Sequence, residues 1–287
     1  MFSAAARPAR PVRPADPVRP VRRSRRDRAL RRHRAAIAAL CLVTGTAVLT
    51  GCGQQRVTPA KARAQAGRSA LTAADSTSNT GGAPVDCRKA KCIALTFDAG
   101  PGPHTPELLN ILKAKKVHAT FFLLGKNHVL AHPELVRREA AEGHEIGNHT
   151  WTHQRLDDLT DDGIRDELGR TQDAIKKITG KAPTLMRPPQ GGTNESVDSV
   201  ARSLGLSEVL WSATASDYAT TDTRLIGDRI LDQASRDGII LLHDIYDGTV
   251  PAVPRIIDEL RARGYTFVTV PQLLAPARPQ PGTVYHP

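Results

Sequence analysis

The sequence predicts a parallel α/β fold, on three observations. From Cys92 onward, short apolar runs alternate with amphipathic segments over about 180 residues. Glycines stand where the amphipathic segments should stop. Ionisable side chains collect just past the apolar runs, at the strand ends where parallel α/β folds carry their chemistry.

Seven strands are expected: Ile93–Phe97, Ala119–Leu124, Glu145–Asn148, Thr184–Arg187, Glu208–Trp211, Ile239–His243 and Thr266–Val270. Each is short, apolar and bounded by polar or glycine residues. Helices are expected between them at 105–115, 132–142, 160–178, 194–203, 223–236 and 252–262. Thr160 precedes an acidic first turn and Asn194 stands three residues before Val197, both N-cap signals. Gly143, Gly180, Gly205, Gly238 and Gly264 mark the stops. Periodicity alone leaves open whether such a sheet curls into an irregular barrel or stays flat.

The chain has 287 residues and a formal charge of +11, which on its face suggests a nucleic-acid partner. Location removes that reading. Residues 1–51 hold twelve arginines against Asp16 and Asp27, so the leader carries +10 and the remainder only +1. The leader has the order of a secretion signal: Arg31, Arg32 and Arg34, then the apolar run Ala35–Thr50, then small residues. That run is 16 residues long, short of the roughly 20 that a spanning helix needs. It ends in Leu49-Thr50-Gly51-Cys52, which resembles a bacterial lipobox, with cleavage before Cys52 and lipidation of its thiol; ordinary signal cleavage nearby is the alternative. The expected organisation is a signal over 1–51, a flexible tether over 52–84, a catalytic domain over 85–275 and a disordered tail over 276–287. The expected location is the outer face of the cell membrane, with contact through the acyl chain only and the domain monomeric.

Cys87 and Cys92 enclose four residues before the first expected strand. In an oxidising compartment they suit a small-loop disulfide. Half of a zinc site is the competing reading, and no second cysteine pair exists to complete it.

Four clusters carry potential chemistry. His149 and His153 lie four apart, so on a helical turn both imidazoles would face one cation; otherwise they are surface or capping residues. No glutamate follows the first histidine, which disfavours a zinc-peptidase. Asp98 ends an apolar strand and is followed by Ala99-Gly100-Pro101, a position for a general base. Arg187-Pro-Pro supplies a cation on a stiffened segment, to orient that carboxylate or merely to fix a loop. His243 emerges from Ile-Ile-Leu-Leu, as a structural histidine or as a general acid, with Asp217 as the partner to keep it charged.

Thr96-Phe-Asp98-Ala-Gly-Pro, His149-Thr-Trp-Thr-His153, Arg187-Pro-Pro-Gln-Gly191, Trp211 with Asp217-Tyr218, and Leu241-Leu-His243-Asp244 together resemble the polysaccharide deacetylases, the NodB homology domain of the family-four carbohydrate esterases. The resemblance spans roughly 93–274. It implies a distorted, incomplete (β/α) barrel of about seven parallel strands and a hydrolase that removes acetyl groups from polysaccharide. It implies a divalent metal, zinc foremost, held by His149 and His153, with Asp98 as base, Arg187 orienting it, His243 as acid and Asp217 tuning His243. Pro189, Gln190 and Gly191 would contact substrate, with a backbone N–H near Gln190 on the oxyanion. Trp211, Tyr218 and Leu242 would wall the acetyl pocket. With a wall-length tether, peptidoglycan is the expected partner.

One departure stands out. The family reads Thr-Phe-Asp-Asp-Gly-Pro, its second aspartate being the metal's carboxylate ligand, and here that position is Ala99. A methyl group cannot ligate, and catalytic zinc generally keeps three protein ligands. Gln190 replaces a usual tyrosine. An active deacetylase and a catalytically weak wall-glycan-binding domain both follow.

Overall fold

The computed structural model describes residues 56–69 and 85–287. The expected signal, Cys52 and residues 70–84 lie outside them. The described residues form a curled sheet of parallel strands flanked by helices, so the α/β fold stands as the sequence predicts it. Its strands are β1 (Arg56–Val57), β2 (Lys91–Asp98), β3 (Thr120–Leu123), β4 (Glu145–Asn148), β5 (Leu185–Met186), β6 (Ser207–Val209), β7 (Ala213–Thr214), β8 (Gly238–His243), β9 (Tyr265–Val268) and β10 (Val284–Tyr285). The helices are α1 (Pro59–Ser69), α2 (Thr105–Lys115), α3 (Pro133–Ala141), α4 (Asp161–Thr179), α5 (Glu195–Ser203), α6 (Thr223–Gln233), α7 (Thr249–Ala262) and α8 (Val270–Leu274).

The strand path is β1-β10-β6-β5-β4-β3-β2-β8-β7, with β9 also paired to β2. It runs from one free end to another, so the barrel is open. β2 is the central strand and both its faces are buried. Ile93, Leu95 and Phe97 belong to the helix-facing core with Leu108, Leu112 and Ile256, whereas Cys92 and Ala94 belong to a second core with Phe122, Ile239 and Tyr285. Burial on both faces is why this strand reads as a near-continuous apolar run. The register sets Asp98 beside His243 on β8 and beside Phe122 on β3.

The caps act as the sequence suggests. The Thr160 side chain accepts from the Gly163 amide, and the Asn194 side chain from the Val197 amide. Gly180 ends α4 at φ 78°, where a side chain would be strained. Cys87 and Cys92 form a disulfide with both sulfurs in the core.

Two expectations about the ends fail. Part of the presumed tether is β1 and α1, and α1 is anchored by Arg63, which donates to the Leu273 carbonyl at 2.7 Å and pairs with Asp237 at 2.5 Å. The presumed disordered tail supplies β10, inserted between β1 and β6 with Val284 and Tyr285 buried. Two-residue strands carry no periodicity of their own, so only the partner edges reveal them. These strands and β7 raise the count from about seven to ten.

Candidate active site

Parallel pairing puts every strand's C-terminal end at one edge, and the site residues follow from that. Asp98 ends β2, Arg187 follows β5 and His243 ends β8, while His149 follows β4.

Arg187 is fully buried and organises the floor. Its Nη1 donates to Asp98 Oδ1 and to Thr96 Oγ1, both at 2.7 Å, and its Nε donates to the Val209 carbonyl at 2.9 Å. Its guanidinium lies 4.3 Å from the Phe122 ring centre. Thr96 in turn donates to the Ile240 carbonyl at 2.6 Å. A buried carboxylate needs such a partner, and the second Asp98 oxygen stays free of the guanidinium.

His149 and His153 do come together, with ring centres 5.0 Å apart, but not on a helical turn. Thr150 and His153 have φ of 73° and 67°, so the segment is a tight irregular loop. Buried Glu167 on α4 holds that loop by accepting from the Trp151 amide at 3.0 Å, the Thr152 amide at 2.8 Å and the Thr152 hydroxyl at 2.6 Å. His149 Nδ1 donates to the Arg187 carbonyl at 2.8 Å, which leaves the Nε2 lone pair 4.0 Å from Asp98 Oδ2. Burial lowers the His149 pKa to about 4 and lowers that of His153 too, against the opposing pull of Asp98, so both imidazoles are neutral at pH 7.

His243 is set up in the opposite sense. Its Nδ1 donates to Asp217 Oδ1 at 2.8 Å and its backbone N–H to Asp217 Oδ2 at 2.8 Å. Buried Asp217 is held in turn by the Thr249 hydroxyl at 2.8 Å. Burial pulls the His243 pKa down, yet the hydrogen bond and charge of Asp217 outweigh it and leave the pKa raised. Asp98 and His243 therefore sit side by side, as paired residues of neighbouring strands.

A divalent metal fits this donor set only in part. The two neutral imidazoles suit one, but Ala99 offers no carboxylate. Among the described residues no group of three His, Cys, Asp or Glu side chains is placed to hold an ion. The three-ligand centre implied by the resemblance is therefore not present in these residues. Ala99 itself has φ 66°, a left-handed conformation that costs alanine about 1 kcal/mol and that aspartate tolerates better.

The rest of the expected wall divides. Trp211 packs over Gly191, where an added Cβ would stand 3.2 Å from its ring. Pro189 is buried and Gln190 is exposed with φ 56°, both on the turn after Arg187. Leu242 does not face the site. It shares the helix-facing core with Phe97, because side chains alternate along β8. Leu241 lies on the same face as His243. Tyr218 is 63% exposed beside His243, at a ring distance of 6.3 Å, rather than enclosed in a small pocket.

Sequence reasoning misses the supports Glu167 and Thr249, and gives no role to Thr96 and Asp244 within their motifs. Asp244 is fully buried and accepts from the Thr105 hydroxyl, and burial pushes its pKa up to about 6. An added Cβ at Gly100 would lie 2.3 Å from Asp244 Oδ1, so the loop after Asp98 requires glycine there. Its position next to His243 was the one available signal.

Residues 86–209 match the family described as polysaccharide deacetylase. A peptidoglycan-N-acetylglucosamine deacetylase of Bacillus cereus is 38% identical over 190 residues, covering 64% of this chain and 88% of the relative. The chain belongs to the polysaccharide deacetylase family. Within that family, the peptidoglycan-N-acetylmuramic acid deacetylase PdaC of Bacillus subtilis is 42% identical over 184 residues, 64% of this chain and 38% of PdaC. The chain thus matches only about two fifths of PdaC's length. A PdaC structure superposes with a TM-score of 0.61, covering 66% of this chain and 92% of that one. A family pseudoenzyme from Bacillus anthracis, BA3943, has a TM-score of 0.62 at 26% identity, covering 69% and 70% of the two chains.

Proposed function

We propose that this chain hydrolyses acetyl groups from acetylated polysaccharide of the cell wall, with peptidoglycan as substrate. The observation that carries the reading is the pairing of an Arg187-held carboxyl group with an Asp217-held imidazole across neighbouring strands. Asp98 takes a proton from water as the water oxygen bonds to the acetyl carbonyl carbon. The tetrahedral adduct then collapses, and the bond from carbon to the sugar's amide nitrogen breaks. His243 delivers a proton to that nitrogen, so the products are acetate and a free amine. Relatives named as peptidoglycan deacetylases support the substrate class. The expected signal and lipobox support a location outside the cell membrane, where the wall lies.

A second reading is favoured by Ala99: a wall-glycan-binding domain with little turnover. The existence of a pseudoenzyme in the same family supports it. Both readings, and the metal dependence that the resemblance implies, are tested by one comparison. Acetate release from wall glycan and bound metal are measured in the natural chain and in Ala99→Asp, with and without added zinc. Release by the natural chain, lost by about 100-fold or more in Asp98→Asn and His243→Gln, supports hydrolysis. Glycan binding without release, with release and metal retention appearing only in Ala99→Asp, supports the binding domain.

A further inference from the structure

β1 runs parallel to β10 and β6, so the chain reaches Arg56 from the edge where the strands begin, opposite the edge that carries Asp98 and His243. β2 alone spans eight residues, about 25 Å, between those edges. Cys52 precedes Arg56 by four residues, at most about 14 Å of fully extended chain. The edge that the chain enters is also basic. Lys89 precedes β2, Lys181 precedes β5, Arg236 precedes β8 and Arg263 precedes β9, all four exposed. The last turns of α2, α4, α5 and α7 add Lys113, Lys177, Arg202 and Arg261. Helix dipoles favour cations in last turns, but the first four stand outside any helix. At this edge Asp86, Glu142, Asp237, Asp258 and Glu259 are each ion-paired, while Asp232 and Glu145 are not. Among the described residues Lys89, Lys113, Lys177 and Lys181 form no ion pair. The catalytic edge takes the opposite sign, with Glu107, Glu134, Asp161, Asp162 and Glu195 in the first turns of α2 to α5. The net +1 beyond the leader thus divides into a basic and an acidic pole.

We propose that the basic edge docks on an anionic phospholipid surface, with the catalytic edge turned away from the bilayer. Charge complementarity supplies the attraction, which acts within a Debye length of about 10 Å at 0.1 M salt. The link from Cys52 to Arg56 has a comparable reach, so an acyl group on Cys52 and the lysines would hold the same side of the domain to the lipid. The acidic pole is repelled by that surface, which sets the orientation as well as the contact. Asp98 and His243 then open away from the lipid, toward glycan beyond it. The docking does not depend on hydrolysis, since a glycan-binding domain would be oriented in the same way.

The test uses the full chain, purified without lipidation, and vesicles of phosphatidylglycerol and phosphatidylcholine in equal parts or of phosphatidylcholine alone. Lysine acetylation by a soluble reagent is read residue by residue by mass spectrometry. Residues 1–51 contain no lysine, so every signal reports on the chain beyond the leader. Lys89, Lys113, Lys177 and Lys181 should be protected about threefold or more, on the anionic vesicles only. Lys126, just after β3 at the catalytic edge, should react as it does in solution. A second measurement compares the vesicle affinity of Lys89→Glu/Lys181→Glu with that of Lys126→Glu/Arg224→Glu, the same charge change at the opposite edge. The first should bind about tenfold more weakly than the natural chain and the second within about twofold of it. Absence of protection would overturn the docking, because binding would then run through the basic leader alone. Protection of Lys126 to the same degree, or equal losses in the two variants, would overturn it as well.

Discussion

Replacing Arg187 by methionine should cost about 3–5 kcal/mol of folding stability, although the side chain is nowhere near the surface hydrophobes usually blamed for such losses. Methionine retains much of the volume against Phe122 but removes four hydrogen bonds, those to Asp98, Thr96 and the Val209 and Leu210 carbonyls. Asp98 is only 2% exposed, so water cannot replace the guanidinium. Removing one partner of a buried pair strands the other charge, which is where the estimate of about 3–5 kcal/mol comes from. The stranded charge also gives the prediction a sharper form. In Asp98→Asn/Arg187→Met that charge is gone, so the double variant should be more stable than Arg187→Met by about 2 kcal/mol. Urea unfolding at pH 7, monitored by circular dichroism, measures all four members of the cycle. A loss under about 1 kcal/mol in Arg187→Met, or strict additivity in the double variant, would show that the pair is not what holds the floor of the site.

Three further outcomes follow from the same geometry. Asp217→Asn removes the charge that raises the His243 pKa, so the proton needed for leaving-group protonation is lost at lower pH; the alkaline limb of the pH–rate profile should move to lower pH. In the natural chain the stability from this pair is present at low pH and fades as pH rises through the raised His243 pKa, a slope that Asp217→Asn should flatten in pH-dependent melting. Converting Cys87 and Cys92 to serine opens a loop of sequence separation 5 and should cost about 2 kcal/mol, read by denaturant midpoint. Truncation after Arg278 removes β10, leaves β1 and β6 without their shared partner, and exposes the sites of Val284 and Tyr285. It should destabilise the domain by about 3–6 kcal/mol, whereas a disordered tail would give no change.

Much of this molecule is determined locally. The apolar runs Ile93–Phe97 and Ile239–Leu242 read as strands buried on both faces, because almost nothing in them is polar enough to meet water. The Thr160 and Asn194 caps act within three residues of themselves, so sequence places those helix starts well. Asp98, Arg187, Asp217 and His243 were readable for a related reason. A parallel sheet delivers whatever follows its strands to one edge, and a charged residue after an apolar strand has few other uses.

Tertiary structure decided what depends on partners far apart in the chain. The conformation of His149–His153 is set by Glu167, whose carboxylate meets the loop only because α4 packs behind it. Leu241 and Leu242 are indistinguishable by composition, and only the register of β8 against β2 says which one faces the site. β10 exists because β1 and β6 leave a strand-wide gap between them. The chain by itself determined which groups could do chemistry and that Ala99 withholds one of them. Only the fold, by pairing strands whose residues lie as far apart in sequence as Asp98 and His243, determined that these two side chains share a register position while, among the described residues, no group of three ligands forms.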